Sequence, residues 1–66
     1  MTVIYSFSNA ELDQIQEDHD SEIGGARYAY RIFHDINSDV PVTTEQVEDF
    51  CVAFYSQYNA RYGERY

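Results

Sequence analysis

The chain has 66 residues, with twelve acidic residues against four basic ones and a formal net charge of −8. Nucleic acids and anionic membranes bind basic surfaces, so this charge excludes both as direct partners. No apolar run approaches the roughly 20 residues that span a bilayer. The start of the chain lacks the basic stretch of a signal peptide, and Cys51 is the only cysteine. We therefore expect a single domain of the reducing cytoplasm.

Apolar residues alternate in the first segment, where Val3, Tyr5 and Phe7 share one side of an extended chain. A strand needs a partner, and the only other candidate is the short segment 40–42. We predict an extended N-terminal arm over residues 1–7 that packs on helices. A short N-terminal strand is the alternative.

The first helix is predicted from a capping box. Ser8 is the N-cap, Glu11 stands three residues later, and Phe7 and Leu12 occupy the positions of a hydrophobic staple. This pattern predicts a helix over about 9–19, with acidic residues near the positive end of its dipole.

The third helix repeats the device, with Thr43 as N-cap and Gln46 as its partner. Gly63 supplies the C-terminal signal, so we predict a helix over about 44–62. Apolar residues spaced three and four apart define its inner face: Val47, Phe50, Cys51, Phe54, Tyr55, Tyr58 and Tyr62.

The middle helix is predicted over about 25–36, ending before the turn-forming run 37–39. Its apolar stripe consists of Ile23, Ala26, Tyr30, Phe33 and Ile36. We place the pair Gly24-Gly25 in the bend before the helix, because glycine costs about 1 kcal/mol relative to alanine inside one. The alternative is a small-residue face that lets another helix approach. The predicted fold is a compact all-α three-helix domain with an extended arm, and α+β is the alternative.

The sequence offers no catalytic, cofactor or metal site. Cys51 could form a nucleophile or a zinc site with His19 and His34, but it lies on an apolar helix stripe, where a free cysteine behaves as a small hydrophobe. The run from Asp18 to Glu22 resembles the start of a calcium loop but lacks the required glycine and the final acidic residue. We predict that the protein is not an enzyme and acts by binding.

Nine of the twelve acidic residues fall into two groups that contain no basic residue, while Asp35 and Asp39 lie at the end of the middle helix. The first lies around the first helix and comprises Glu11, Asp13, Glu17, Asp18, Asp20 and Glu22. The second opens the third helix and comprises Glu45, Glu48 and Asp49. A solvated face that keeps the protein soluble is the simpler interpretation. A field of one sign also speeds association with a positively charged partner.

In length, acidity, helical pattern and aromatic content, the chain resembles small phage- or plasmid-encoded inhibitors of bacterial defence, including anti-CRISPR proteins and DNA mimics. The acidic residues of 11–22 and 45–49 carry this resemblance, which lies in composition and not in a motif. It implies an acidic inhibitor that acts in the host cytoplasm on the basic nucleic-acid-binding surface of a defence protein, such as a CRISPR surveillance complex or a nuclease.

Tyrosines of the third helix are the predicted rigid contacts of such an interface, namely Tyr55, Tyr58 and Tyr62. The same residues support an alternative function, a small structural or regulatory module that forms a homodimer through the tyrosine-rich third helix.

Overall fold

A computed structural model describes residues 4–66 of the chain and shows three helices, α1 (Asn9–His19), α2 (Ala26–His34) and α3 (Thr44–Tyr62). The described residues contain no strand, so the prediction of an all-α three-helix domain is confirmed. Residues 1–3 of the predicted arm lie outside the described part. None of the helices in residues 4–66 is long and apolar enough to cross a membrane.

Both predicted capping boxes are present, and α1 and α3 have the predicted bounds. The Ser8 hydroxyl accepts from the Glu11 amide at 3.2 Å, while the Ser8 amide donates to the Glu11 carboxylate at 2.9 Å. Thr43 and Gln46 make the same reciprocal pair at 3.1 and 3.0 Å. Each box satisfies amides that a helix start leaves without intrahelical partners.

Helix α2 is shorter than predicted. The bend at Gly24-Gly25 is confirmed, because Gly25 is the N-cap with φ 116°, a conformation that favours glycine. The predicted end near residue 36 is wrong: the helix stops at His34, and Asp35 takes the left-handed conformation with φ 54°. The Ile36 amide then donates to the Arg31 carbonyl at 2.9 Å, which completes a Schellman motif.

The core forms where the three helices and the arm meet. Its buried residues are Phe7, Leu12, Ile15, Ala29, Tyr30, Val47, Phe50, Cys51, Phe54 and Tyr58. The placement of Ile23 on the inner stripe of α2 was wrong, since Ile23 precedes the helix and is exposed. Tyr62 lies at the edge of the core, where its ring rests on Tyr58 with centroids 4.8 Å apart.

The described part of the arm is built into the core. Phe7 is 1% exposed, and its ring packs on Phe33 and Phe50. The side-chain amide of Gln57 makes two hydrogen bonds to the backbone of the arm. It accepts from the Phe7 amide and donates to the Tyr5 carbonyl, each at 2.8 Å. These bonds replace the strand pairing that the arm lacks.

Candidate partner-binding surface

The predicted acidic residues of α1 and its exit divide into engaged and free ones. Glu11 belongs to the capping box, and Asp18 accepts from the Gln14 side chain at 3.3 Å. Glu17 and Glu22 are exposed and make no ion pair within residues 4–66. Asp13 is also exposed, on the side of α1 that meets Tyr62. Partial desolvation of that ring, followed by the proximity of Asp13, raises the pKa of Tyr62.

Asp20 is committed to an internal network. Its carboxylate accepts from Arg65 Nη2 at 2.7 Å, from His19 Nδ1 at 3.0 Å and from the Tyr66 hydroxyl at 3.2 Å. The hydrogen bond from His19 is the main reason that the pKa of Asp20 lies below its ordinary value, with smaller help from Gln16, Tyr66 and Arg65. Asp20 therefore fixes the end of the chain to the end of α1 and has less capacity for a partner.

The acidic residues of α3 form one solvent-facing side. Glu45, Glu48, Asp49 and Val52 are spaced i, i+3, i+4 and i+7, and all four are exposed. Neighbours three and four apart on a helix lie about 5–6 Å from one another, so the three carboxylates repel each other slightly. None of them forms an ion pair with another described side chain. The negative charge of this face is therefore not neutralised by any cation among the described residues.

The arginines explain why so many carboxylates stay free. Arg27 donates to the Val42 carbonyl and the Thr44 hydroxyl at 3.1 and 3.0 Å. The other three donate to the Asn37 carbonyl (Arg31), to the Asn9 side chain at 2.6 Å (Arg61) and to Asp20 (Arg65). All four cations thus tie segments of the fold together, and only Arg65 neutralises a carboxylate within residues 4–66.

The three predicted contact tyrosines have different surroundings. Tyr58 is buried in the core, which leaves little of its ring for a partner. Tyr55 is half-buried and hydrogen-bonded through its hydroxyl to His19 Nε2 at 2.9 Å. Burial, followed by the proximity of Cys51, raises the pKa of Tyr55. Tyr62 is the member of the three with substantial exposed surface.

The cysteine and histidines do not assemble a reactive centre in the described part of the chain. Cys51 is buried, as predicted, and burial raises the pKa of its thiol, which disfavours the thiolate that a nucleophile needs. His34 bonds the Tyr5 hydroxyl at 2.8 Å, and burial lowers its pKa. No group of three or more His, Cys, Asp or Glu residues within 4–66 is arranged to hold a metal ion.

Two features of this surface were not predicted from the sequence. The internal use of every arginine depends on contacts between residues far apart in the chain. The exposure of Ile23 and Ile32 was also not predicted, and Ile23 was assigned to the inner stripe of α2. The glycine pair that follows Ile23 was the available signal, since a bend there takes Ile23 out of the helix.

No known protein family matches the chain, and neither a curated protein nor a solved structure shows significant similarity to it. The surface chemistry of this chain is therefore what indicates its function.

Proposed function

We propose that this chain is a non-enzymatic acidic inhibitor that binds the basic nucleic-acid-binding surface of a bacterial defence protein in the host cytoplasm, by charge mimicry of DNA. The observation that carries the proposal is how the charges are engaged: the four arginines are hydrogen-bonded to other groups of this chain, and Asp20 is the one carboxylate ion-paired within residues 4–66. A surface that served solubility alone would gain from mixed signs.

The exposed carboxylates of the two acidic groups that make no ion pair within residues 4–66 would supply the contacts. They are Asp13, Glu17, Glu22, Glu45, Glu48 and Asp49. Arginine and lysine that normally bind phosphate would pair with them, because carboxylate and phosphate oxygens accept the same charge-assisted hydrogen bonds. The one-signed field would also draw a basic partner in from a distance. Glu11 and Asp20 are excluded from this set, since the capping box and the Arg65 pair already engage them.

The homodimer alternative receives less support. It needs the tyrosines of α3 on an open surface, and Tyr58 is buried while the hydroxyl of Tyr55 bonds His19. Tyr62 alone remains well exposed among the three.

The proposal is tested with three variants that each remove three negative charges. D13N/E17Q/E22Q neutralises the α1 group, and E45Q/E48Q/D49N neutralises the α3 face. The matched control, D35N/D39N/E64Q, neutralises exposed residues outside both groups. Each variant would be immobilised and exposed to a bacterial lysate, and the retained proteins would be identified after elution between about 50 and 500 mM salt, where the screening length falls from roughly 14 to 4 Å.

We expect wild type and control to retain the same nucleic-acid-binding protein, which labelled duplex DNA displaces and which salt elutes. One or both acidic-group variants should lose it. Equal loss in the control would show that bulk charge and not a surface is responsible. Retention by all three variants, or a captured protein that DNA does not displace, would contradict the proposal.

A further inference from the structure

The segment after α3 lies on a surface that α1, its exit and α3 form together. The chain turns back toward this surface at Gly63, where φ is 98°. Arg65 and Tyr66 then contact side chains of the helices, although neither residue belongs to the buried core. We use the name tail site for the side chains that hold them, namely His19, Asp20, Phe54, Tyr55, Tyr58 and Asn59. The tail site is thus a surface with an occupant, and its contacts show which chemistry it accepts.

The tail site surrounds the Arg65 side chain with a carboxylate and aromatic rings. Asp20 accepts from Nη2 of Arg65 at 2.7 Å. The guanidinium carbon lies 6.0 Å from the centroid of the Tyr58 ring, within the range of a cation–π contact, and 5.5 Å from that of Tyr66. Such surroundings favour arginine over lysine, because the planar guanidinium stacks on rings while its edge donates to a carboxylate.

The residue after the arginine is held by its backbone and by its ring. Oδ1 of Asn59 accepts from the amides of Arg65 and Tyr66 at 2.9 and 3.2 Å, and Nδ2 donates to the Tyr66 carbonyl at 3.0 Å. The Tyr66 ring stacks on Tyr55, with centroids 4.9 Å apart, and packs on Phe54 at 5.1 Å. Backbone hydrogen bonds combined with a side-chain pocket are the usual elements of peptide recognition. The tail site therefore fits an arginine followed by an aromatic residue.

Water can replace the contacts that hold the tail. The side chain of Arg65 is 48% exposed and that of Asp20 is 32% exposed. Ion pairs this exposed add little to stability, because water competes for both charges. The buried core contains no residue beyond Tyr58. The tail can therefore leave the tail site while the three helices remain packed.

A nucleic-acid-binding surface carries the two kinds of side chain that the tail presents. Arginines on such a surface pair with phosphates, and aromatic side chains stack on bases. A protein segment with an arginine next to an aromatic residue is thus complementary to the tail site in charge and in shape.

We infer that the tail site binds an arginine–aromatic segment of the partner protein, which replaces Arg65 and Tyr66. This inference rests on the proposed function and names the kind of partner segment that is bound. It also adds Asp20 to the binding surface, since its carboxylate would exchange Arg65 for an arginine of the partner. While the tail occupies the site, the apparent affinity is reduced to the fraction of molecules whose site is open. Removal of the tail side chains should therefore strengthen binding.

Three full-length variants test the inference. The emptied variant, E64Q/R65Q/Y66S, removes the occupant and keeps the net charge at −8, since one acidic and one basic residue are lost. The occupied control, E64Q/R61Q, makes the same exchange of charge but keeps the arginine and the tyrosine of the tail. The carboxylate variant adds D20N to the emptied variant. All three should unfold cooperatively in urea. Loss of the fold in the emptied variant would overturn the inference, because the tail would then be part of the fold and not a replaceable occupant.

The probe is the peptide acetyl-Gly-Gly-Arg-Tyr-Gly-amide, and its control has the same composition in the order Tyr-Arg. Titration of the labelled emptied variant should give saturable shifts at the amides of His19 and Tyr55 and at the Asn59 side chain. Affinity should be at least about fivefold weaker in the occupied control, where the tail competes, and in the carboxylate variant. Equal affinity in all three variants, equal affinity for the two peptides, or absence of saturable shifts would overturn the inference.

A dimer of wild type that is absent from the emptied variant in sedimentation would also overturn it, because the tail site would then hold the tail of a second copy. In the lysate experiment, the emptied variant should retain the DNA-displaceable protein to higher salt than the occupied control does. If it retains the protein no better while the charge variants lose it, the proposed function stands and the tail-site inference is wrong. If the charge variants keep the protein, the proposed function fails, whereas the peptide titration still decides whether the tail site binds an arginine–aromatic segment.

Discussion

Both ends of the described chain fold back onto α3, but they are attached in different ways. The arm inserts Phe7 into the core, where 1% of it stays exposed, and Gln57 holds the adjoining backbone. The tail after Gly63 lays Tyr66 over Tyr55, with ring centroids 4.9 Å apart, and leaves it 36% exposed. Asn59 holds this segment through the Arg65 and Tyr66 amides and the Tyr66 carbonyl.

The difference shows what each end contributes to the domain. Phe7 at the arm stabilises by removing apolar surface from water, an effect that does not depend on pH. The tail is fixed by Asp20, Arg65 and the Tyr66 hydroxyl, which are charged or titratable and partly in water. Phe7 should therefore decide whether the domain folds. The tail should contribute to the change of stability at extreme pH, alongside the arm residue Tyr5, whose pKa is also raised by burial.

The largest expected effect comes from Phe7→Ala. Truncating a buried Phe removes its transfer free energy and leaves a cavity, which together cost about 3–5 kcal/mol. A core of this size supplies a total stability of only about that amount. We expect F7A to be largely unfolded by circular dichroism in buffer. The matched change at the other end, Y66A, should leave a cooperative urea transition, and similar transitions in the two variants would show that the two ends contribute equally.

The second prediction compares the side chains that hold the two ends. Gln57→Ala leaves the Phe7 amide in a partly buried position without its acceptor, which costs about 1–3 kcal/mol. Asn59→Ala removes three bonds to exposed backbone, where water takes their place, so we expect at most about 1 kcal/mol. Urea midpoints measure both. A larger loss of stability in N59A than in Q57A would contradict the prediction, because the tail would then stabilise the domain more than the arm does.

The same contrast explains what the sequence could predict. The capping boxes of α1 and α3 lie within four-residue windows, so their residues alone indicated where both helices begin. The hydrogen bond between the Phe7 amide and Gln57 joins residues 50 positions apart. The hydrogen bond between Arg65 and Asp20 joins residues 45 positions apart. No periodicity reports such pairs, because they arise only after the helices have packed.

The candidate surface likewise has features that the sequence indicated and features that depend on packing. The acidic groups were visible as composition, whereas their division into free and engaged carboxylates was not, since it depends on where the arginines end up. The end of α2 was also missed, because Asp35 adopts a left-handed conformation that asparagine and aspartate tolerate without requiring it.

The third prediction concerns acid and the tail. Asp20 has a lowered pKa in the folded chain, so its bonds stabilise the fold above the ordinary value of 3.8 and are lost as pH falls through the folded value. Because the network is solvent-exposed, we expect D20N to cost at most about 1 kcal/mol at pH 7. Urea midpoints of wild type and D20N should converge at about pH 2. A constant difference from pH 7 to 2 would show that the Asp20 charge plays no part. D39N is the control at pH 7 for the loss of one exposed carboxylate, since Asp39 makes no ion pair among residues 4–66, and its urea midpoint should stay close to that of wild type.

The smallest effect is expected from Tyr66→Phe, which keeps the ring on Tyr55 and removes only the hydroxyl. Burial, followed by the negative charge of Asp20, raises the pKa of Tyr66 from its ordinary value of 10 to about 12. The folded chain therefore keeps this proton where the unfolded chain loses it, so the stabilisation is complete below pH 10 and declines as pH rises through about 12. Y66F should therefore lose less stability than wild type over this range, as urea midpoints between about pH 9 and 12 would show. An alkaline decline in Y66F as steep as in wild type would locate the alkaline sensitivity in tyrosines outside the tail, and pH would then no longer distinguish the tail from the arm.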